Sequence, residues 1–223
     1  MRPPLVTLPL FAEESGRLAS RLCMIIGAPG AGKSTLVRTL ASGAESRICD
    51  GPGFRYTLWN PGSEHEVAEL GLPDDSMGFR GSDRLRSNVA VDVYRWMEQR
   101  VGDVLVEGDR LTTGRMATVA QRCGFALEVL YLYAPEDVLA ARRAARYAEY
   151  KDTYHFQTRD TTGPPNETWV KGRASKAANL AEAAGAVLLD ATRPPVALAA
   201  AAARRSVVCR KLARAAGLAG GEE

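Results

Sequence analysis

The 223-residue chain has the size of one α/β domain, and its 46% hydrophobic residues can fill a core without disulfide or metal staples. A formal charge of +3 is too small to mark a general nucleic-acid binder, so any anion-binding role must rest on local clusters. Cys23, Cys49, Cys123 and Cys209 lack zinc-ligand spacing and no apolar run reaches the ~18 residues of a membrane helix, so a reducing, cytoplasmic setting with no membrane partner is expected.

The opening, MRPPLVTLPLFAEE, has prolines and acids where a signal peptide needs an apolar run, and it reads as an irregular leader. Five short apolar runs follow: residues 22–26, 47–49 ending at Asp50, 104–106 ending at Glu107, 127–133, and 186–189 ending at Asp190. Continuous runs of this length suit strands of a parallel sheet covered on both faces, with Cys23 and Cys49 as small core hydrophobes. Helices are predicted between them. One covers 33–41, and another covers 89–101, where Val89, Val93, Trp96 and Met97 recur at helical spacing. A third starts at Pro135 and carries Arg142, Arg143 and Arg146. A fourth spans 169–184, and an alanine-rich fifth spans 195–216 with Arg204, Arg205, Arg210, Lys211 and Arg214. Residues 51–86, with six glycines and three prolines, read as a loop-rich arm. Residues 151–168 are polar and contain the turn signal Gly163-Pro164-Pro165-Asn166. Loops this long in a compact domain bind something or close over it.

Gly27-Ala28-Pro29-Gly30-Ala31-Gly32-Lys33-Ser34 matches a P-loop: Gly, four free positions, then Gly-Lys-Ser. Glycines let backbone N–H groups turn inward around a phosphate, and the following helix, entered through Thr35, adds its positive end. Lys33 then reaches the β- and γ-phosphates of ATP, and the Ser34 hydroxyl ligates Mg2+. Typical residue frequencies give about a 1% chance of an accidental match in a chain this long. An apolar strand before the motif and an amphipathic helix after it supply the required context.

Ligands of parallel sheets collect at the carboxyl ends of the strands. Phosphoryl transfer needs carboxylates there to organise magnesium and to accept the proton of an attacking hydroxyl. Asp50, 17 positions after Lys33, is the expected base or anchor of the acceptor hydroxyl. Glu107, directly after an apolar strand, is the expected magnesium organiser, with Asp109 sharing that role. The bland alternatives are that Asp50 opens the turn Gly51-Pro52-Gly53 and that Asp109 caps a helix. Asp190 is expected to close the fifth strand, with Thr192 and Arg193 near an adenine site.

Arginine forks suit phosphate clamping. Arg142, Arg143 and Arg146 stand where a lid would hinge, with Arg143 counted among the catalytic groups. Arg80, Arg84, Arg86 and Arg110, with Lys171, Arg173 and Lys176 in WVKGRASK, suggest as a group an anionic acceptor, DNA among the candidates. Phe54, Tyr56, Trp59, Phe79, Tyr154, Phe156 and Trp169 are concentrated in the same regions, which suits either a stacked base or packing beneath long loops. His65 reads as a surface residue at a helix start.

Strand, P-loop and helix, then a strand ending in Asp50, then VLVEGDR, then a paired-arginine helix resemble the nucleoside- and nucleotide-kinase-like branch of P-loop proteins over residues 20–200. The resemblance implies a three-layer P-loop NTPase sandwich whose five-stranded parallel sheet is ordered 2-3-1-4-5. It also implies one kinase domain over residues 1–223, with an acceptor arm at 51–86 and a lid region at 142–176. Within it Lys33 and Ser34 serve phosphate and magnesium, Asp50 the acceptor, and Arg142, Arg143 or Arg146 the lid. The arm and lid look more like the kinases of bacterial viruses that phosphorylate hydroxymethyluracil in DNA. Three readings stay open: a kinase of a nucleic-acid-type acceptor, a kinase of a free nucleotide or small metabolite, and an NTPase switch.

Overall fold

A computed structural model describes residues 20–73, 81–153 and 166–217, with the side chains of residues 150–153 left aside. The leader, Phe79, Arg80, Tyr154, Phe156 and most of the segment 151–168 lie outside the described residues.

The strongest local signal builds the centre. β1, Arg21–Gly27, is buried almost throughout. Its alternate side chains serve opposite faces: Cys23 and Ile25 pack into one apolar cluster, and Leu22, Met24 and Ile26 into the other. Each fully buried aliphatic side chain contributes ~1.5–3 kcal/mol, which fixes this strand as the axis of the molecule. The P-loop follows, then α1, Lys33–Leu40, which turns Leu36, Val37 and Leu40 onto the first cluster.

The chain next forms β2, Ser46–Gly51, and β3, Phe54–Trp59, a hairpin closed by Pro52-Gly53, and then β4, Val67–Glu69. A short 3-10 turn at Ser82–Arg84 leads to α2, Ala90–Gln99, and β5, Asp103–Glu107. After α3, Gly114–Arg122, come β6, Ala126–Tyr133, and α4, Glu136–Thr153. α5, Glu167–Ala184, delivers β7, Val187–Asp190. Two helices complete the described chain, α6, Pro195–Arg205, and α7, Val207–Ala215.

The seven strands form one sheet in the order β2-β3-β4-β5-β1-β6-β7. β4, β5, β1, β6 and β7 run parallel, and β3 is antiparallel to both of its neighbours. This corrects the expected five-stranded sheet and its order. The run at 47–49 is not beside β5; it belongs to an exposed edge strand, and β4 holds the place next to β5. The arm at 51–86 is accordingly less loop-like than its glycine count implied. Its aromatic and β-branched residues, Phe54-Arg55-Tyr56-Thr57-Leu58-Trp59, make a strand with a largely buried face. Cys49 on the edge strand is only half-buried. His65 precedes β4 in a turn, not a helix, with its amide donating to Ser63 Oγ.

The alanine-rich helix also divides in two. Ser206 takes an extended conformation and accepts from Cys209 N at 3.0 Å, starting α7 anew. Glu128 of β6 accepts from the Ser206 hydroxyl at 2.6 Å and from Val207 N at 3.1 Å, placing a carboxylate at a helix N-terminus where the dipole favours it.

One backbone contact governs how the arm returns to the sheet. Gly71, just past β4, has φ 139°, and a Cβ there would lie 2.0 Å from the backbone carbon of Gly81. Gly81 N in turn donates to Leu72 O at 2.9 Å, and Thr57 Oγ1 donates to Gly71 O at 3.0 Å. Gly71→Ala is therefore expected to destabilise the fold by ~2 kcal/mol or more, read as a lower urea midpoint at unchanged slope. A wild-type midpoint would show that the two segments part without cost.

Candidate active site

The P-loop leaves β1 at its carboxyl end and wraps the start of α1. Lys33 Nζ donates to Gly27 O at 2.9 Å and to Ala28 O at 3.4 Å, so the ammonium lies folded along the loop. Gly30, at φ 89°, permits a close approach of α4: a Cβ there would lie 2.9 Å from Leu139 O and 3.2 Å from Arg143 Cγ. Thr35 is exposed in the first turn of α1.

Two of the three α4 arginines meet this loop. Arg143 donates to Pro29 O at 3.0 Å and pairs with Glu136 at 2.5 Å. Arg142 donates to Ala191 O at 2.8 Å, joining the P-loop side to the end of β7. Arg146 is exposed one turn further on. Asp190, at the end of β7, accepts from Thr192 N at 2.9 Å and Thr192 Oγ1 at 2.6 Å, with Arg193 Nε at 3.7 Å. The Thr192 hydroxyl and amide hold the Asp190 carboxyl below the usual aspartate range.

The acids separate into two groups. Asp50 is exposed on β2, paired in register with Arg55. Four strand spacings divide β2 from β1, ~19 Å at the usual separation, so Asp50 is not brought beside the P-loop. Asp83, in the 3-10 turn, stands instead beside the end of β5. Glu107, at the end of β5, is buried and accepts from Ser34 Oγ at 3.2 Å. A Cβ on Gly81 would lie 2.6 Å from Glu107 Oε1, so the 3-10 turn rests directly on this carboxylate. Ser82 Oγ donates to Glu107 O at 2.7 Å, and Asp83 Oδ1 accepts from Asp109 N at 2.9 Å.

Burial pushes the Asp83 carboxyl above the ordinary aspartate value and the Asp109 carboxylate pushes it further. The Asp109 amide, Lys33 and Arg110 oppose the shift. Asp83 thus shares a field with the P-loop lysine. Asp109 points to α5, where Arg173 Nε stands 3.7 Å from Oδ2 and Lys176 Nζ donates to its carbonyl at 3.0 Å. Burial holds the Lys176 ammonium below the usual lysine value, against the pull of Asp109.

The other expected acceptor arginines brace the turn around Asp83. Arg84 donates to Pro73 O at 2.5 Å, Arg110 donates to Leu85 O, and Arg86 pairs with Asp92. Sequence reading missed Asp83, whereas Lys176 belongs to the basic cluster it expected around Arg173. The available signal for Asp83 was the compact Gly81-Ser82-Asp83-Arg84, a polar turn between a glycine and a helix.

The donor set suits magnesium chemically. A hydroxyl and a carboxylate oxygen lie together at Ser34 and Glu107, and Mg2+ in such sites takes its remaining ligands from phosphate and water. No cluster of three or more metal-binding side chains occurs among the described residues.

A phosphate-binding loop on the central strand of a mostly parallel sheet, with acids at neighbouring strand ends, defines a P-loop nucleotide-binding α/β protein. The chain belongs to the P-loop nucleotide kinase 3 family, whose model matches residues 18–194. Among solved structures, an unliganded sugar kinase from Janibacter sp. HTCC2649 is similar at 13% identity, over 87% of this chain and 98% of that one, with a TM-score of 0.43. No curated protein matches the chain.

The raised Asp83 pKa has a defined effect on stability. The folded chain binds this proton more tightly than the unfolded chain, so stability falls as pH rises from 3.8 through the raised value. Asp83→Asn is expected to be more stable than wild type at pH 7, with the difference shrinking as pH approaches 3.8. Thermal melts across that range check it; a variant less stable at pH 7 would mean that the ionised carboxylate is a net structural asset.

Proposed function

We propose that this kinase transfers the γ-phosphoryl group of ATP to a hydroxyl of a nucleic-acid-type acceptor, with Asp83 receiving the acceptor proton. The observation that carries the reading is the Asp83 carboxylate, held at the end of β5 in the field of Lys33 and braced by Asp109 N. The acceptor proposed is the hydroxymethyl group of 5-hydroxymethyluracil in DNA. Membership of a nucleotide kinase family supports that class of acceptor. So do the cations around Asp83 and Asp109, namely Arg84, Arg110, Arg173 and Lys176.

The chemistry follows from the placement. The acceptor oxygen attacks the γ-phosphorus, the bond from that phosphorus to the β-phosphate oxygen breaks, ADP leaves, and the hydroxyl proton passes to Asp83. Ser34 and Glu107 are the residues that would hold Mg2+, which would neutralise phosphate charge when bound. Lys33 swings from the carbonyls of Gly27 and Ala28 to the β- and γ-phosphates. Its charge counts most as negative charge develops on the transferred group. Arg143 keeps the loop in shape through Pro29 O, and Arg142 reaches toward the adenine side, near Arg193. The base role expected of Asp50 passes to Asp83, because Asp50 stands on the distant edge strand.

Labelled phosphate transfer from ATP across nucleosides, nucleotides, plain DNA and hydroxymethyluracil DNA tests the acceptor. Labelling of the modified DNA and not of plain DNA is the expected outcome. Labelling of free nucleotides alone would leave a kinase with a different acceptor. ATP turnover that no acceptor accelerates would favour a switch.

Two substitutions test the residue roles. Lys33→Ala is expected to lower turnover by ~10²-fold or more in a folded protein. Asp83→Asn is expected to lower it by ~10²–10⁴-fold while ATP affinity holds, and to remove an acid limb that lies above the ordinary aspartate range. Asp50→Asn should turn over within about twofold of wild type, a near-neutral change of <0.5 kcal/mol in barrier. A crippled Asp50→Asn beside an active Asp83→Asn would reverse the assignment.

A further inference from the structure

α5 carries, beside the two cations already assigned to the acceptor side, an exposed indole that the phosphoryl transfer itself does not use. Trp169, Gly172, Arg173 and Lys176 stand at i, i+3, i+4 and i+7, so they share one side of the helix. Trp169 is large, apolar and 46% exposed. The Arg173 guanidinium carbon lies 5.4 Å from the centre of its ring, and Arg173 Nε lies 3.7 Å from Asp109 Oδ2. Asp109 N donates to Asp83. A continuous chain of contacts therefore runs from the exposed indole to the proposed catalytic base.

The same face borders a groove of about 520 Å³ between α5 and the start of α3, lined by Thr113, Gly114, Gly172, Ser175, Lys176 and Asn179, among others. That volume falls within the ~300–1,000 Å³ of small-molecule sites. A Cβ placed on Gly114 or on Gly172 would meet nothing within 4 Å, so a ligand backbone has open access along both walls. Its lining is mostly apolar, with Leu180 and Ala183 beside the Thr113, Ser175 and Asn179 side chains, and Lys176 sits at the Asp109 end.

We infer that Trp169 is a stacking platform for the base that flanks the acceptor nucleotide, with the intervening phosphate held by Arg173 and Lys176. The subsite rests on the nucleic-acid reading above and sharpens it: the substrate is an oligonucleotide strand, not a mononucleotide. Three features select this occupant. The indole offers a π-face to any base, the two cations complement a phosphodiester, and the groove continues beyond them for the neighbouring backbone. Arg173 lies between the ring and the carboxylate, 5.4 Å from one and 3.7 Å from the other, so its guanidinium stands where a phosphate next to a base stacked on Trp169 would meet it.

The test is equilibrium binding of the full chain to a fluorescein-labelled single-stranded trideoxynucleotide with central hydroxymethyluracil, followed by anisotropy. Trp169→Ala is expected to weaken binding roughly tenfold, and Trp169→Phe, which keeps a π-face, to recover most of it. Affinity for ATP and for the isolated hydroxymethyluracil mononucleotide should stay at wild-type values. Equal trinucleotide affinity in wild type and Trp169→Ala overturns the inference, as does an equal loss on the mononucleotide or no trinucleotide binding at all. The two readings fail separately. Trp169-dependent binding without phosphate transfer to DNA removes the acceptor reading and keeps the subsite. Transfer to DNA with Trp169-independent binding does the reverse.

Discussion

The approach of two glycines organises the functional end of this protein. Gly71 leaves β4 and Gly81 returns from the arm so closely that neither tolerates a side chain, and Gly81 then lies on the Glu107 carboxylate. Backbone against backbone against carboxylate is a contact without slack. It sets the height at which Ser82 meets Glu107 O and at which Asp83 meets Asp109 N. Without that height, the acid of the 3-10 turn would not stand in the field of the P-loop lysine. The distant hairpin takes part through Thr57, whose hydroxyl holds Gly71 O, and through Trp59, whose indole donates to the buried Glu69 at 2.9 Å.

Charge at the site is arranged to be unsatisfied in part. Asp83 is pushed toward its neutral form by burial and by a second carboxylate, and Lys176 is pushed toward its neutral form by burial. Structural ion pairs of the same chain are built otherwise. Lys211 Nζ lies 2.7 Å from the buried Asp103, which also accepts from Arg21 N at 2.9 Å. Groups whose environments push against their charge are the usual mark of a site that handles protons or anions. Here they lie at the carboxyl ends of the strands, where a parallel sheet collects its ligands.

The P-loop was legible in the sequence because its chemistry is local: eight consecutive residues carry both the turn and the phosphate donors. β1, β5, β6 and β7 were legible as apolar runs, and α1, α2, α4 and α5 from their periodicity or start signals. Long-range pairing was not. The second parallel strand of the core is the three-residue β4, which Glu69 ends, and the equally short run at 47–49 stood in for it. The expectation for Asp50 followed from that placement, because the strand it ends was expected beside β5 and stands instead at the edge of the sheet. Asp83 was hidden because its placement depends on Gly71 meeting Gly81, ten residues apart with no periodic signal between them. The break at Ser206 was hidden for a similar reason, because Glu128, which makes it favourable, comes from β6.

The two ends of the sheet divide the work of the fold. At the amino ends of the strands, Glu128 gathers Ser206 and the first amides of α7, and Cys23, Cys209 and Ser206 pack in the same buried corner, with the two sulfurs 3.9 Å apart. Burial raises the Cys23 thiol further above its ordinary value, in addition to the effect of Cys209, so the corner acts as apolar packing. With Asp103 and Lys211 nearby, this end is closely paired and anchors α6 and α7 beneath the sheet. The carboxyl end instead keeps an exposed indole, a groove, and one carboxyl, Asp83, that burial pushes toward its neutral form. Charges are thus matched by close partners at one end, Lys211 against Asp103, and set against their surroundings at the other, as at Asp83 and Lys176.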